Sequence, residues 1–482
     1  MRGGVKKSKI ALVAGVMLSA GLALTGCGVN NDSQGEKQED YSIAYDLNGG
    51  TGIENTNYVL ENDSVTLPTN VTRAGYVFDG WYLDGSEVTS ISKDTFKNSD
   101  KNSLTIKAKW KDVFTYEDSS KTVITGLTPY ARNEMEIVIP KTVTKIGASA
   151  FRENLNLTTV TFEEGSQLVS IGEDAFDGCI FLRSITIPAG VNEIGEDAFL
   201  YCAHLIEVRN LSSLNITVDS NENGLVAYYA TYVYGPTDDY DASFVENDGI
   251  VYYVKGNQKI AVGPATDMDR FVTKVTLDSD CTSINQNAFY GCFYLKSIVI
   301  PANVTSIGDY AFYSCCCLVE VYNLSNLTIT TTTTVDPEEN REDGYIGVYA
   351  RVIHKSLDEK SNLVKSHGVV YYVNGDEKIA VGLVDINATT LTLVGDCTGI
   401  NSGAFRGCEK IENVTIPRFV TFVGSCAFYG CSNLESVTFE DTNGWSWVGS
   451  SAGTADLSSG STNASNLKEG QKSEDGLKKS TT

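Results

Sequence analysis

Basic residues, histidine and methionine are scarce in this sequence, and the shortages exclude whole classes of function. The 482 residues carry 37 Lys and Arg against 61 Asp and Glu, for a formal net charge of −24, with three His and four Met. A surface this acidic repels phosphate, which argues against nucleic-acid binding and against electrostatic adhesion to anionic lipid. The chain is also too long for one ordinary hydrophobic core, so several units or a repeat array are expected.

The motifs of catalysis are missing as well. The histidines are His204, His354 and His367, and none recurs at a fixed spacing from a nucleophile. The sequence has no phosphate-binding Walker loop, no G-x-G-x-x-G fingerprint and no H-E-x-x-H zinc motif. Acidic residues are plentiful, but no pair of carboxylates is singled out for acid–base chemistry. The sequence therefore predicts a protein that is not an enzyme and that uses no cofactor or metal.

What the sequence does contain is a repeat. The stretch Ile185–Leu205 returns as Ile298–Leu318 and again as Val414–Leu434, each with an I-P dipeptide near its start and an Ala-Phe pair at its centre. The phenylalanines of these pairs stand 25 or 23 residues apart within each cluster, at Phe151, Phe176 and Phe199, then Phe289 and Phe312, then Phe405 and Phe428. Leucine-rich repeats have a period of roughly 20 to 29 residues.

Each repeat reads as a short strand, a bend and a short helix. Residues Ser184–Ile187 alternate polar and apolar side chains, as in a strand with one buried face, and Pro188 ends that strand. Gly195 allows a tight bend, and the two acidic residues before the Ala-Phe pair favour the start of a helix. The full pattern, with I-P, I-G, A-F, Cys and Leu at fixed positions, resembles the BspA-type leucine-rich repeat. The resemblance implies a β-rich solenoid over residues 113–445, built from short parallel strands and short helices.

Twelve cysteines first suggest a disulfide framework, but their positions favour packing. Six of them lie three residues after the phenylalanine of an Ala-Phe pair, namely Cys179, Cys202, Cys292, Cys315, Cys408 and Cys431. Cysteine packs as a small hydrophobic residue, so a position fixed by the repeat predicts a buried thiol. Disulfides stay the alternative, and Cys315-Cys316-Cys317 is the place where a bridge is most expected.

The N-terminus has the layout of a secretory signal peptide. A basic start precedes the apolar stretch Ile10–Leu24, which is too short to span a bilayer comfortably and leads into Thr-Gly-Cys. This ending resembles the lipobox of bacterial lipoproteins, which implies that residues 1–26 are removed and that Cys27 becomes the lipidated first residue. Residues 27–39 are then a disordered spacer, and the protein is expected at the bacterial cell surface, anchored to the membrane by lipid.

Residues 40–112 form a separate unit with its own aromatic motifs. It has Y-D-L-N-G-G at Tyr45–Gly50, G-Y-V-F-D-G-W at Gly75–Trp81 and A-K-W at Ala108–Trp110. These motifs resemble the Listeria–Bacteroides repeat, which is also the B-repeat of internalins. The resemblance implies a small β-grasp-like domain of bacterial surface proteins, with the aromatic side chains in its core.

The sequence also has a second, longer repeat, which contains the short repeats. Asp248–Gly263 and His367–Gly382 repeat one hairpin pattern, with Val, Tyr and Ile on the strands and Gly at the turn. Residues 212–247 and 325–366 also share a sequence frame. We interpret these two segments as paired inserts that project as loops from one side of the solenoid.

The C-terminal residues are predicted to form a cap on the solenoid, followed by a tail. A solenoid must cover its last apolar face, and residues 446–468, with the neighbouring tryptophans, are predicted to form that cap. Residues 469–482 are polar and charged and are predicted to be a disordered tail.

The outward-facing strand positions are the remaining candidates for function, because they line a concave face in leucine-rich solenoids. The candidate ligand-binding residues on that face are Thr186, Glu207, Arg209, Thr276, Val299, Glu320, Tyr322, Thr392 and Thr415. Arg209 and Tyr322 occupy equivalent positions and stand out as anchors, because Arg and Tyr are enriched at binding hot spots.

The two resemblances imply a role as well as a fold. Both families are associated with adhesion, which implies a protein ligand on a host or neighbouring bacterial cell. A carbohydrate- or envelope-binding module is the alternative, with Tyr228, Tyr229 and Tyr322 as rings on which a sugar would stack.

Overall fold

The computed structural model describes residues 41–53, 57–59, 64–97, 102–238, 241–266, 271–331, 343–448, 453–468 and 476–480. The predicted signal peptide, Cys27 and the spacer lie outside the described residues. Within the described part, no helix is both long enough and apolar enough to cross a membrane.

The first domain is a β-sheet with one short helix. Its elements are β1 (Ser42–Asp46), β2 (Asn57–Val59), β3 (Ser64–Thr66), β4 (Tyr76–Leu83), β5 (Ser86–Val88), β6 (Ser90–Ser92), α1 (Lys93–Lys97) and β7 (Ser103–Asp112). Five strands form a sheet of order β2-β1-β7-β4-β5, in which β1 and β7 are parallel. Trp81 is buried in the core, while Phe78 and Trp110 pack against that core. The predicted small β domain is consistent with this sheet.

The rest of the chain is a solenoid in three modules, each opened by an antiparallel hairpin. Module 1 (residues 113–234) contains β8 (Phe114–Tyr116), β9 (Val123–Leu127), β10 (Glu136–Ile139), β11 (Lys145–Ile146), β12 (Thr159–Phe162), β13 (Ser170–Ile171), β14 (Ser184–Ile187), β15 (Glu193–Ile194), β16 (Glu207–Asn210), a 3-10 turn (Asn223–Leu225) and β17 (Tyr232–Tyr234).

Module 2 (residues 243–354) contains β18 (Ser243–Asn247), β19 (Ile250–Lys255), β20 (Gln258–Pro264), β21 (Lys274–Thr276), β22 (Ser283–Ile284), β23 (Ser297–Ile300), β24 (Glu320–Asn323), α2 (Ile346–Tyr349) and β25 (Val352–His354). Module 3 (residues 363–480) contains β26 (Leu363–Ser366), β27 (Val369–Asn374), β28 (Glu377–Leu383), β29 (Gly399–Ile400), β30 (Asn413–Ile416), β31 (Phe422–Val423), β32 (Ser436–Phe439), β33 (Trp445–Val448), β34 (Gly453–Thr454), α3 (Gly460–Lys468) and β35 (Gly476–Lys479).

Successive coils pair in parallel, so each module has a front sheet made of its longer strands. The front sheets are β10-β12-β14-β16-β17 in module 1, β21-β23-β24-β25 in module 2 and β30-β32 in module 3. The two-residue strands form a second sheet in each module, which is continuous with the hairpin. The predicted β-rich solenoid of short parallel strands is thereby confirmed.

The Ala-Phe turns stack the coils through hydrogen bonds that run between coils. The amide of Phe151 donates to Ala175 O at 2.8 Å, and the amide of Phe176 donates to Ala198 O at 2.7 Å. The rings of Phe151 and Phe176 stack with centroids 5.0 Å apart. These turns are not the short helices that the sequence suggested. A residue with positive φ, such as Asp174 or Asp197, precedes the Ala-Phe pair and directs the backbone amides toward the next coil.

The phased cysteines belong to the same stack, and their predicted burial is confirmed. The thiol of Cys179 donates to Phe151 O at 3.1 Å, and that of Cys431 donates to Phe405 O at 3.1 Å. Burial raises the pKa of both thiols to about 12. Each thiol therefore satisfies a carbonyl of the preceding coil while filling a core position.

In the residues that the structure describes, each predicted insert contains another coil, so the prediction that the inserts are only projecting loops is wrong. β17 pairs in parallel with β16, and β25 pairs in parallel with β24. Gly224 takes the place of the alanine in the Ala-Phe pair, since its carbonyl accepts the Phe199 amide at 2.8 Å. Gly344 does the same for Phe312. Both glycines have positive φ, and a Cβ on Gly224 would collide with Gly195 O.

The C-terminal segments cover the last coil. α3 lies against it, with Asn463 Nδ2 donating to Val437 O at 2.9 Å and Lys468 Nζ donating to Leu434 O at 2.8 Å. Within the predicted disordered tail, Gly476–Lys479 is ordered as β35, so that prediction is wrong for these residues. The strand pairs with β31 and β33 because Leu477 enters the core and Lys479 forms an ion pair with Asp441.

Candidate binding surface

The front sheet of module 1 exposes outward side chains on its first strands. Its first strand, β10, alternates exposed and buried residues, with Glu136 and Val138 outward and Ile137 and Ile139 in the core. On the next strands Thr161 is exposed and Thr186 is half-buried. Strands in exact parallel register align these outward side chains in rows across the sheet.

Apolar side chains flank this polar ladder at its first strand. Val138 and Met135 are each 40% exposed. The amide of Gly75 in the first domain donates to Val138 O at 3.1 Å, so the domain abuts this end of the sheet. Exposed apolar groups beside hydroxyl and charged groups have the composition of a protein-binding surface.

The structure separates the nine predicted site residues into exposed and buried groups. Thr276, Thr392 and Thr415 are exposed, although Thr392 lies outside a strand, while Thr186 and Arg209 are half-buried neighbours in register. Glu207, Val299, Glu320 and Tyr322 are buried. The prediction that these four line an open face is wrong. Segments that follow the strands fold over Glu207, Glu320 and Tyr322. Ligand binding by the other five stays a prediction.

In module 2 the covering segment is the loop 355–362. Ser361 Oγ donates to Glu320 Oε2 at 2.9 Å, and the amide of Asn362 donates to Glu320 Oε1 at 2.8 Å. His354 lies between two carboxylates, with Nε2 3.0 Å from Glu320 and Nδ1 3.1 Å from Glu359. This chain of polar contacts fixes the loop on the front sheet.

Two further contacts strengthen the same closure. The ring of Tyr322 stacks on that of His354 with centroids 4.5 Å apart. The backbone amide of Lys355 and the side chain of His354 lower the pKa of the Glu359 carboxyl, which therefore stays ionised against them. Tyr322 is consequently a packing residue of the closed loop.

In module 1 the corresponding glutamate, Glu207, faces tyrosines instead. The hydroxyl of Tyr253 interacts with Glu207 and lies 2.9 Å from the hydroxyl of Tyr234, which accepts from Lys255 Nζ at 2.8 Å. Burial, with these two hydrogen-bond partners, raises the pKa of Tyr253. The glutamate is covered, but the neighbouring Arg209 and Thr186 keep part of their surface.

A second exposed feature is a set of tyrosines at or near the Ala-Phe turns, of which sequence reasoning identified only Tyr228. Its exposed members are Tyr201, Tyr228, Tyr290 and Tyr429. The guanidinium of Arg406 lies between the rings of Phe293, at 4.0 Å, and Tyr429, at 4.8 Å. The signal was present, because Tyr290 and Tyr429 directly follow the phenylalanine of an Ala-Phe pair. Of the predicted sugar-stacking rings, Tyr228 is exposed, Tyr229 is half-buried and Tyr322 is buried.

No metal site accompanies either surface in the described part of the chain, where no group of three or more His, Cys, Asp or Glu side chains could hold an ion. An open groove of about 740 Å³ lies between the last coil and α3, lined by residues that include Glu412, Glu435 and Lys468.

Comparison with known families agrees with both units of the fold. The family model of the BspA type leucine rich repeat region matches six copies, over residues 130–221, 268–335 and 384–452. The model of the Listeria-Bacteroides repeat domain matches residues 41–109. No curated protein matches the chain.

Several solved structures are similar in fold at low identity. The pneumococcal vaccine antigen PcpA is 14% identical, with 85% of this chain and 74% of that chain covered and a TM-score of 0.23. A leucine-rich cell surface protein from Faecalibacterium prausnitzii is 20% identical, with 69% and 87% covered and a TM-score of 0.22. A Treponema pallidum leucine-rich repeat protein is 16% identical, with 67% and 88% covered and a TM-score of 0.18. The two family models identify the chain as a BspA-type leucine-rich repeat protein over residues 130–221, 268–335 and 384–452, with a Listeria-Bacteroides repeat domain before its solenoid.

Proposed function

We propose that this is a lipid-anchored bacterial surface protein that binds a protein ligand through the front sheet of module 1. Leucine-rich repeats of this type generally serve protein binding or adhesion and are typical of cell-surface proteins. The single observation that carries the proposed site is the exposed face of β10 to β14, where Met135 and Val138 adjoin the hydroxyls of Thr161 and Thr186. A flat array of this composition suits a protein surface better than a small molecule.

The anchor is proposed from the sequence around Cys27. Two or more acyl chains on this residue would hold the protein at the membrane, since each buried CH₂ contributes about 0.8 kcal/mol. Metabolic labelling with a radioactive fatty acid tests this, with Cys27→Ala as the control. Labelled wild type and unlabelled variant support the anchor, whereas equal labelling places the lipid elsewhere.

The binding site is tested by placing a charge on it. Thr186→Lys and Val138→Lys change the module 1 sheet, and Val245→Lys changes a 43% exposed valine of the hairpin strand β18, outside the front sheets, as the matched control. Saturable binding of residues 28–482 to arrayed host and bacterial surface proteins should be lost with the first two variants and kept with the third. Binding that all three variants retain would contradict the site.

A carbohydrate ligand is the second candidate, and the exposed tyrosines favour it. Tyr201, Tyr228, Tyr290 and Tyr429 present aromatic surface away from the front sheet, and sugar rings pack their C–H groups on such surface. Binding to a glycan array that Tyr290→Ala and Tyr429→Ala abolish, while Val138→Lys leaves it intact, would establish this alternative in place of the first.

A further inference from the structure

The junction between modules 2 and 3 contains two cysteines that the repeat does not require. Cys315 occupies the phased position and donates its thiol to Phe289 O at 3.1 Å, like the other stacked cysteines. Cys316 and Cys317 follow it directly, and module 1 has Ala203 and His204 at the corresponding positions. Core packing therefore accounts for Cys315, while its two neighbours need another explanation.

Both of these sulfur atoms face the same point on module 3. A Cβ added to Gly403 would clash with Cys316 Sγ and would lie 3.9 Å from Cys317 Sγ. Cys316 and Cys317 lie in a turn, which lets consecutive side chains point the same way. The thiol of Cys317 also donates to Ser402 O at 3.7 Å, and Cys316 O accepts from Asn401 Nδ2 at 2.7 Å. The pair is thus part of the contact between the two modules.

Exposure and charge distinguish this pair from the stacked cysteines. Cys316 is half-buried, whereas Cys317 is buried. A hydrogen bond from the Cys316 thiol, assisted by the charges of Lys296 and Arg406, lowers the pKa of Cys317. The same hydrogen bond raises the pKa of Cys316. The pair therefore loses its first proton more readily than Cys408, whose pKa burial raises to about 12.

We propose that Cys316 and Cys317 close reversibly into a vicinal disulfide, which makes the junction of modules 2 and 3 sensitive to thiol–disulfide balance. The oxidant is a small disulfide, RSSR. A proton passes from Cys316 to Cys317 within the ionised pair, and the Cys316 thiolate attacks RSSR to give a mixed disulfide and one RS⁻. Cys317 then loses its proton and attacks the Cys316 sulfur, which releases the second RS⁻. The net change converts two thiols and RSSR into one protein disulfide and two RSH.

A disulfide between Cys316 and Cys317 would be labile because it joins adjacent residues. Consecutive Cα atoms stand about 3.8 Å apart across a trans peptide, whereas disulfides usually join Cα atoms about 4.4 to 6.8 Å apart. A strained disulfide is easily reduced, as sensing bonds are and structural ones are not. Closure also removes the S–H donor from Ser402 O and draws Cys316 Sγ away from Gly403. The oxidised junction should therefore open more often than the reduced one.

The chemical step is tested on the folded protein with oxidised glutathione as the probe. Wild type should lose two iodoacetamide labels from the peptide that contains Cys316 and Cys317, keep no glutathione, and regain both labels after dithiothreitol. Cys317→Ser should instead accumulate a glutathione adduct on Cys316, because the resolving thiol is gone. A stable adduct on wild-type Cys316, a bridge to another cysteine, or reaction only in denaturant would overturn the proposal.

The effect of oxidation on the junction is measured by hydrogen exchange, with an internal control. Oxidation should speed hydrogen exchange at residues 401–406 severalfold and leave the corresponding residues 285–290 of the first junction unchanged. Cys316→Ala, which introduces the residue of module 1, should fold with the wild-type melting temperature and abolish the oxidation response. Equal exchange at 401–406 in the oxidised and reduced forms would show that the bond does not act on the junction.

Discussion

Modules 1 and 2 place a glutamate at the same strand position, but the strand beside it is half-exposed in module 1 and buried in module 2. Glu207 begins β16 and Glu320 begins β24, and both are buried. The strand before β24 is buried along its whole length, whereas the strand before β16 keeps half-exposed Ser184 and Thr186. The difference shows that a repeat fixes which way a side chain points, while the segments between modules decide whether it meets solvent.

The largest effect is expected where the closure of module 2 depends on a buried side chain. Glu320→Ala removes the carboxyl group that holds His354, Ser361 and the amide of Asn362. Each buried group left without a hydrogen-bond partner costs about 1 to 3 kcal/mol, so the free energy of unfolding should fall by about 4 kcal/mol.

Glu207→Ala is the matched change in module 1. It removes a hydrogen-bond acceptor from Tyr253, at a cost of about 2 kcal/mol. Denaturant unfolding of both variants measures the comparison. Equal losses would mean that the ionic contacts of loop 355–362 do not set module 2 apart.

The next largest effect concerns the coil hidden in the first predicted insert. Gly224 has a φ of +61°, and a Cβ there would lie 2.8 Å from Ala198 Cβ as well as colliding with a carbonyl. Gly224→Ala should destabilise module 1 by about 3 kcal/mol, from left-handed backbone strain together with overpacking.

Gly256→Ala provides the control for backbone strain alone. Gly256 has a φ of +55° in a hairpin turn, with nothing within 4 Å of its Cβ position. This variant should lose only about 1 kcal/mol. Thermal unfolding that gives the same loss at both glycines would argue that residues 212–234 are a surface loop.

A smaller effect compares two valines at the same strand position. Val138 in β10 is 40% exposed, and Val299 in β23 is 6% exposed. Val299→Ala removes two buried carbon groups at about 0.8 kcal/mol each, so it should cost about 1.5 kcal/mol. Val138→Ala should stay within about 0.5 kcal/mol of wild type. A reversed order in denaturant unfolding would mean that the first front sheet is the closed one.

The smallest effect is a pH dependence of hydrogen exchange in the loop 355–362. The pKa of Glu359 is lower in the folded protein than its usual value of 4.5. A depressed pKa contributes stability that is complete above the usual value and is lost as the pH falls through the folded value. Loop 355–362 should therefore exchange hydrogen faster, after correction for intrinsic rates, as the pH drops below about 4.5.

Glu359→Gln is the control for this pH dependence. The variant should show faster exchange in the loop at neutral pH and little further change on acidification. An identical acid response in wild type and variant would assign the effect to another group.

The repeat itself was predictable, because its buried positions carry apolar residues at a fixed spacing. Ile185, Phe199 and Cys202 recur at fixed positions, and each is in the core. The alternation along Ser184–Ile187 identified the strand and its buried face. The turns were harder to predict, because acidic residues that favour a helix start also tolerate the positive φ that Asp197 adopts.

Exposure of the candidate site was not predictable from one strand at a time. Tyr322 and Arg209 stand at equivalent positions, but Tyr322 is buried and stacks on His354, which comes 32 residues later in the chain, whereas Arg209 is half-buried. Gly224 accepts the hydrogen bond of the Phe199 amide, but the Ala-Phe pair of the repeat motif is missing at this position, so the sequence did not reveal the coil. β35 was missed because a single apolar residue, Leu477, anchors it among polar neighbours.

Strands β10 to β14 of the module 1 front sheet are open, whereas β23 and β24 of the module 2 front sheet are closed. Hydroxyl-radical footprinting of the native protein, read by mass spectrometry, compares the two sheets in one sample. Met135 and Val138 should be oxidised, while Val299 and Tyr322 should be protected in wild type and become reactive in Glu320→Ala. Oxidation of Tyr322 in native wild type as fast as that of Tyr130, which is 63% exposed, would contradict the account.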